Sequence, residues 1–168
     1  MINGKKGKSK KEQFTFFWKG PFSQWFPSKF HWNELDWTCA EQYMMAMKAY
    51  LFQDEETFNK IRKTTDPREH KKLGRQVKKF DLNKWNENAK DIVYIGNYQK
   101  FIQNHDLKMK LLNTKGTTLV EASPYDKIWG IGLSQHDARC MLRKQWLGTN
   151  WLGEILTKVR NDIEKQNN

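Results

Sequence analysis

The chain has 168 residues, of which 38% are hydrophobic and 14% aromatic, and its formal net charge is +11. That length fits one domain with a real core, and the apolar content excludes disorder for most of the chain. Lys5, Lys6, Lys8, Lys10 and Lys11 precede the first acidic residue, Glu12, and without them 25 basic residues still stand against 19 acidic ones, which favours a phosphate-bearing partner.

Residues 1–12 are thus expected to form a flexible Lys-rich tail, with a single domain over residues 13–166. Phe14-Thr15-Phe16-Phe17-Trp18 reads as a strand ended by Gly20-Pro21. The aromatic stretch 22–37, broken by Pro27, reads as short strands and loops. A helix starts at Thr38, with Glu41 three residues on as the acid of a capping box, and runs to about Phe52. Asp54 opens a second helix to about Lys63, and Asp66-Pro67-Arg68-Glu69 starts a third that ends near Phe80. Asp81 caps a longer helix that carries Trp85, Ile92, Val93, Phe101 and Ile102. It breaks at Asn104-His105-Asp106, and a short helix covers about 107–113. Residues 117–121 alternate like a strand, and Trp129–Gly132 reads as a loop or short strand. Ser134-Gln135-His136-Asp137 resembles another capping box, and Asn150 begins a last amphipathic helix. The fold class that follows is α+β, a predominantly helical single domain with a few short strands.

Two segments place charge inside otherwise apolar sequence, where burial costs several kcal/mol unless the charge is paired or used. The first is Thr38–Ala49, in which Glu41 and Lys48 are two helical turns apart and share a face. The plain alternative makes Glu41 a cap and lets Lys48 reach solvent along its aliphatic stem. The second is Leu119–Gly132, in which Glu121 ends a strand and Asp126 precedes an aromatic-glycine turn; turn capping would account for both. Asn150 and Gly153, at a helix start, either cap it or offer free N–H groups to an anion. Trp85 is either core or a stacking face for a flat ring.

Other chemistries find little support. Cys39 and Cys140 have neither zinc spacing nor the density of a disulfide framework. His31, His70, His105 and His136 show no mutual spacing that suggests a metal site or a triad, and no G-x-S-x-G occurs. The basic N-terminus lacks the apolar run of a signal peptide, and no segment reaches the length of a membrane span, so a cytoplasmic protein with no membrane partner is expected.

Taken together, the segments resemble the NADAR (YbiA-like) family from about Phe14 to Ile163. The resemblance is carried by Phe22–Phe26, Glu41–Ala49, Leu73-Gly74-Arg75, Trp85, Lys100-Phe101, Leu111–Thr114, Leu119–Ser123, Asp126–Gly132 and Asn150–Gly153. It implies N-glycoside hydrolysis between ribose C1 and an exocyclic amine. The substrate is then an ADP-ribosylated guanine in nucleic acid, or a phosphorylated ribosylamino-pyrimidine of early riboflavin biosynthesis; a non-catalytic reader of ADP-ribose or nucleic acid is the third alternative. The family's acid and tryptophan positions fall on Glu41, Trp85, Glu121 and Asp126, and its helix lysine on Lys48. The Lys-rich tail is not part of the pattern.

Such an aminal can ring-open, so Lys48 is expected as a Schiff-base nucleophile, with Glu41 or Glu121 moving protons and Asp126 on ribose hydroxyls or water. Direct hydrolysis by a carboxylate is the rival route. Trp85 or Trp129 would stack on the base. Arg75, Lys100, the Trp129-Gly130 turn and the Asn150–Gly153 helix start are the candidate substrate and phosphate contacts. Neither a cofactor nor a metal is needed for this chemistry. Oligomeric state is left open.

Overall fold

The computed structural model describes residues 11–166, so the tail expected at the N-terminus lies almost wholly outside the described residues. Within them the chain is α+β and predominantly helical. Strand β1 (Phe14–Phe17) is followed by an antiparallel pair, β2 (Phe30–Trp32) and β3 (Leu35–Trp37). Helices α1 (Ala40–Leu51), α2 (Glu55–Lys63), α3 (Pro67–Gly74), α4 (Leu82–Gln103) and α5 (His105–Leu112) come next. Strand β4 (Thr118–Glu121), two short 3-10 turns (Ala138–Met141 and Arg143–Gln145) and α6 (Trp151–Gln166) complete the chain.

Helix α1 is the hub, packed against α2, α3 and α4. Small residues at Ala40, Ala46 and Ala49, all buried, let its neighbours approach. Helix α6 closes the other side, against α4 and β4. It approaches closely because residue 153 is glycine: a Cβ there would stand 2.2 Å from Leu119 O. The main core runs through Trp37, Tyr43, Phe101, Leu111, Leu119, Leu152 and Leu156, and a smaller cluster of Val120, Ala122, Ile131, Leu133 and Cys140 lies on the other face of β4.

Strands β1 and β4 pair in parallel across about a hundred residues, with Phe17 opposite Glu121. Parallel pairing sends both chains out at the same end of the ribbon. The segments after the two strands, Trp18–Phe26 and Ala122–Trp129, therefore emerge side by side, and the Trp18 and Tyr125 rings lie 5.9 Å apart.

Several local expectations are corrected. The N-cap of α1 is Cys39, with no side-chain cap. Thr38 pairs instead with Gln42, whose Oε1 accepts from the Thr38 backbone N–H (2.8 Å) and hydroxyl (3.1 Å), so Glu41 is released from capping. Helix α3 stops at Gly74, and α5 starts at His105 with no side-chain cap from Asn104. Asp137 caps only a short 3-10 turn, through the Arg139 N–H. Asn150 precedes α6 in a left-handed conformation, φ 54°.

Candidate active site

The ends of β1 and β4, the inner face of α1 and the end of α3 enclose a cleft of about 660 Å³. Glu41, Met44, Met45 and Lys48 line it from α1, Lys71, Gly74 and Arg75 from α3, and Trp85 from α4. Glu121, Ser123, Tyr125, Asp126 and Trp129 line it from β4 and the loop beyond, facing Trp18–Pro27 across the opening.

Glu41, only 6% exposed, has its carboxyl pushed up to about 7, chiefly by burial, with Lys71, Arg75 and Lys48 opposing and Asp126 reinforcing the rise. Burial also lifts Glu121, to about 8, helped by the charges of Asp126 and Glu41. Its Oε2 is buried and finds no hydrogen-bond partner among the described residues, an expensive state for a carboxylate that a neutral carboxyl tolerates better. Asp126 differs: its Oδ1 accepts the Ile128 and Trp129 N–H groups at 2.9 and 2.8 Å, which ties off the loop, and the residue lines the cleft.

Lys48 donates to Gly74 O at 2.7 Å, and its ammonium lies 4.3 Å from the Phe80 ring centre and 5.5 Å from that of Trp85. Burial first, and then Arg75, lower its pKa, while Glu41 opposes. Burial in this aromatic box favours the free amine, the nucleophilic form, while the ring faces themselves attract the ammonium. Trp85 belongs to that box as much as to any base-stacking face.

The cleft gathers Glu41, Lys48, Arg75, Trp85, Glu121, Asp126 and Trp129. Lys100, Gly130, Asn150 and Gly153 do not line it. Lys100 is wholly buried and donates to Ser23 O at 3.0 Å; burial brings its pKa down to about 7. It holds the Ser23–Gln24 segment that Asn97 also grips, through Gln24 Oε1 at 2.7 Å, and that accepts the Glu41 N–H at 2.9 Å. Gly130 permits the loop to close on β4, since a Cβ there would meet Glu121 O at 2.8 Å. Asn150 spends both amide atoms on β4: Oδ1 accepts the Glu121 N–H and Nδ2 donates to Leu119 O, each at 3.0 Å. It orients Glu121 through the backbone and offers nothing to an anion.

The cleft also contains Lys19, Lys71, Trp18, Trp25 and Tyr125, which sequence reasoning did not single out. A rim aromatic has no periodic signal, because nothing beneath it in the chain repeats with it. One unexpected pair appears as well: Cys39 Sγ lies 3.8 Å from His70 Nδ1. Burial raises the thiol pKa and lowers that of the imidazole, which favours neutral partners, and neither residue lines the cleft. Among the described residues no group of three or more His, Cys, Asp or Glu side chains has a metal-holding arrangement, and no helix is long and apolar enough to cross a membrane.

The model of the NADAR domain matches residues 11–164. Protein irg-1 of Caenorhabditis elegans is 47% identical over 131 residues, 77% of this chain and 62% of that protein, so the chain spans less than two thirds of that relative. N-glycosidase R617 of Acanthamoeba polyphaga mimivirus is 46% identical over 149 residues, 86% of this chain and 88% of that protein. The NMR structure of the E. coli protein YbiA superimposes with a TM-score of 0.77 over 94% of this chain and 88% of that one, at 24% identity, a likeness of fold.

Proposed function

The chain belongs to the NADAR domain family, and on that footing we propose that it is an N-glycosidase that removes ADP-ribose from guanine in nucleic acid. The bond broken joins ribose C1 to an exocyclic amine. The observation that carries this reading is the meeting of Lys48 with three carboxyl groups, Glu41, Glu121 and Asp126, in one cleft. N-glycosidase is also the printed name of the mimivirus relative. A polyanionic substrate suits the cations of the cleft: among the described residues Lys19, Lys71 and Arg75 line it and join no ion pair, whereas Lys60, Lys78 and Arg143 elsewhere are paired with carboxylates.

The chemistry divides the carboxyl groups by protonation. Glu121, pushed to about 8, is the acid, and Glu41, at about 7, is the base. The lone pair of the exocyclic nitrogen forms C1=N as the bond from C1 to the ring oxygen breaks, and that oxygen takes the Glu121 proton. Lys48 gives a proton to Glu41 and its Nζ adds to C1. The guanine amine leaves with its bonding electrons and a proton, which returns through the carboxyl pair, and a C1=Nζ Schiff base remains. Water then adds to C1, the C1–Nζ bond breaks, and lysine and ADP-ribose are released. Asp126 holds ribose hydroxyls through these steps.

The test is release of ADP-ribose from guanine-ADP-ribosylated single-stranded DNA by the wild type and not by Glu41→Ala. Cleavage of a ribosylamino-pyrimidine phosphate alone would overturn the nucleic-acid reading and leave a metabolite-directed N-glycosidase. Binding without turnover of either would overturn the enzyme.

A further inference from the structure

Trp18 is 45% exposed, Trp25 40% and Tyr125 85%, and all three stand at the opening of the one cleft that holds the carboxyl cluster. Large aromatic rings left in water on a cleft edge forgo burial energy that a fold normally collects. Their backbone positions are set by the fold. Trp18 follows β1 and Tyr125 follows β4, so the parallel register fixes their separation. The Tyr125 N–H donates to Ser123 Oγ at 3.3 Å, the Trp25 N–H to Ser23 Oγ at 3.2 Å, and the Ser23 carbonyl is the one gripped by buried Lys100. Lys19 Nζ lies 5.5 Å from the Trp18 ring centre and carries no ion pair among the described residues. Exposed rings beside unpaired cations are the elements from which proteins build base-stacking platforms for phosphate-linked heterocycles.

We propose that Trp18 and Tyr125, with Lys19, form a second heterocycle subsite at the cleft mouth. It takes a nucleobase tethered through phosphate to the base at the reacting centre. The inference rests on the nucleic-acid reading above and deepens it. A ribosylamino-pyrimidine phosphate has a single heterocycle and leaves this subsite empty. An ADP-ribosylated nucleotide in a strand supplies a second base in either of two ways: the adenine of ADP-ribose, or the base flanking the modified guanine. Both present the same flat ring joined to phosphate.

The experiment compares three substrates with wild type and the Trp18→Ala/Tyr125→Ala double variant. They are ADP-ribosyl guanosine monophosphate, the same modified guanine in a short single strand with normal flanking bases, and that strand with abasic flanks. Thermal unfolding checks that the variant, altered only at exposed rings, is folded. If the flanking base occupies the subsite, wild type prefers normal to abasic flanks by about 5- to 150-fold in kcat/KM, and the variant loses that preference. If adenine occupies it, flanks do not matter and the variant loses a similar factor on all three. A variant that matches wild type on every substrate overturns the subsite. Titration of intrinsic tryptophan fluorescence with ADP-ribose and with oligothymidylate reads the same subsite without turnover. A dissociation constant that rises in the variant supports it even if no substrate is cleaved, and equal constants in both proteins overturn it; the amplitude is not compared, since Trp18→Ala removes a fluorophore.

Discussion

Lys100→Met is the most informative single change to the buried framework. Lys100 is fully buried, lies near the rings of Phe101 and Phe26, and has Ser23 O as its acceptor. Burial brings its pKa from 10.5 to about 7. A lysine depressed in the folded state weakens the fold while it must carry its proton. Between about 7 and 10.5 the unfolded chain holds more protons than the folded one, so stability rises with pH across that window. The full difference corresponds to about 5 kcal/mol, most of it already in force at pH 7. Methionine fills similar volume and removes that burden, but strands the Ser23 carbonyl at a cost of about 1–3 kcal/mol. The net expectation at pH 7 is a gain of about 1–3 kcal/mol, or a Tm higher by about 3–10 °C in a domain of this size. Thermal unfolding followed by circular dichroism from pH 6 to 10 measures it, and the wild-type rise in Tm above pH 7 should flatten in the variant. Turnover should nonetheless fall about 10- to 100-fold, because the Ser23–Gln24 segment that meets the Glu41 N–H loses its anchor. A Tm that drops at pH 7, with its pH dependence unchanged, would refute the reasoning, since the ammonium would then be compensated in the folded state.

Other outcomes are expected from the cleft and its frame. Activity should follow a bell with apparent limbs near 7 and 8, falling in acid as the pair led by Glu41 protonates and in base as Glu121 ionises. In Glu121→Gln the alkaline limb should vanish along with most of the rate. Borohydride added during turnover should attach ADP-ribose to the peptide containing Lys48, and Lys48→Arg should lose both the adduct and about 100-fold or more in rate; an active, untrapped Lys48→Arg protein would establish direct hydrolysis instead. Gly153→Ala should destabilise the fold by about 1–3 kcal/mol in urea titration, because its methyl would press on the Leu119 carbonyl across the α6–β4 contact.

What the sequence determined by itself was local. The caps at Asp54, Asp66 and Asp81, the apolar spacing of α4 and α6 and the existence of β4 are legible because each depends on residues within a turn or two of one another, although β4 is buried on both faces at Leu119 and Val120 and does not alternate. The same locality put Glu41 and Lys48 on one helix face, and made Asp126 a turn residue as well as a site candidate. Tertiary structure decided the rest. Thr38 satisfied the pattern of a capping box with Glu41, yet chose Gln42, whose amide also reaches Ile61 O and Thr64 O; only the packing of α2 supplies those acceptors. Lys100 and Asn150 looked like groups waiting for a phosphate until neighbouring carbonyls and amides, distant in sequence, took them up. The cleft mouth was least legible of all. Trp18 and Tyr125 meet because β1 pairs in parallel with β4, and such a pairing leaves no signature between its strands. Residue type and spacing encode which groups a segment offers; burial and non-local pairing set their protonation and the direction they face.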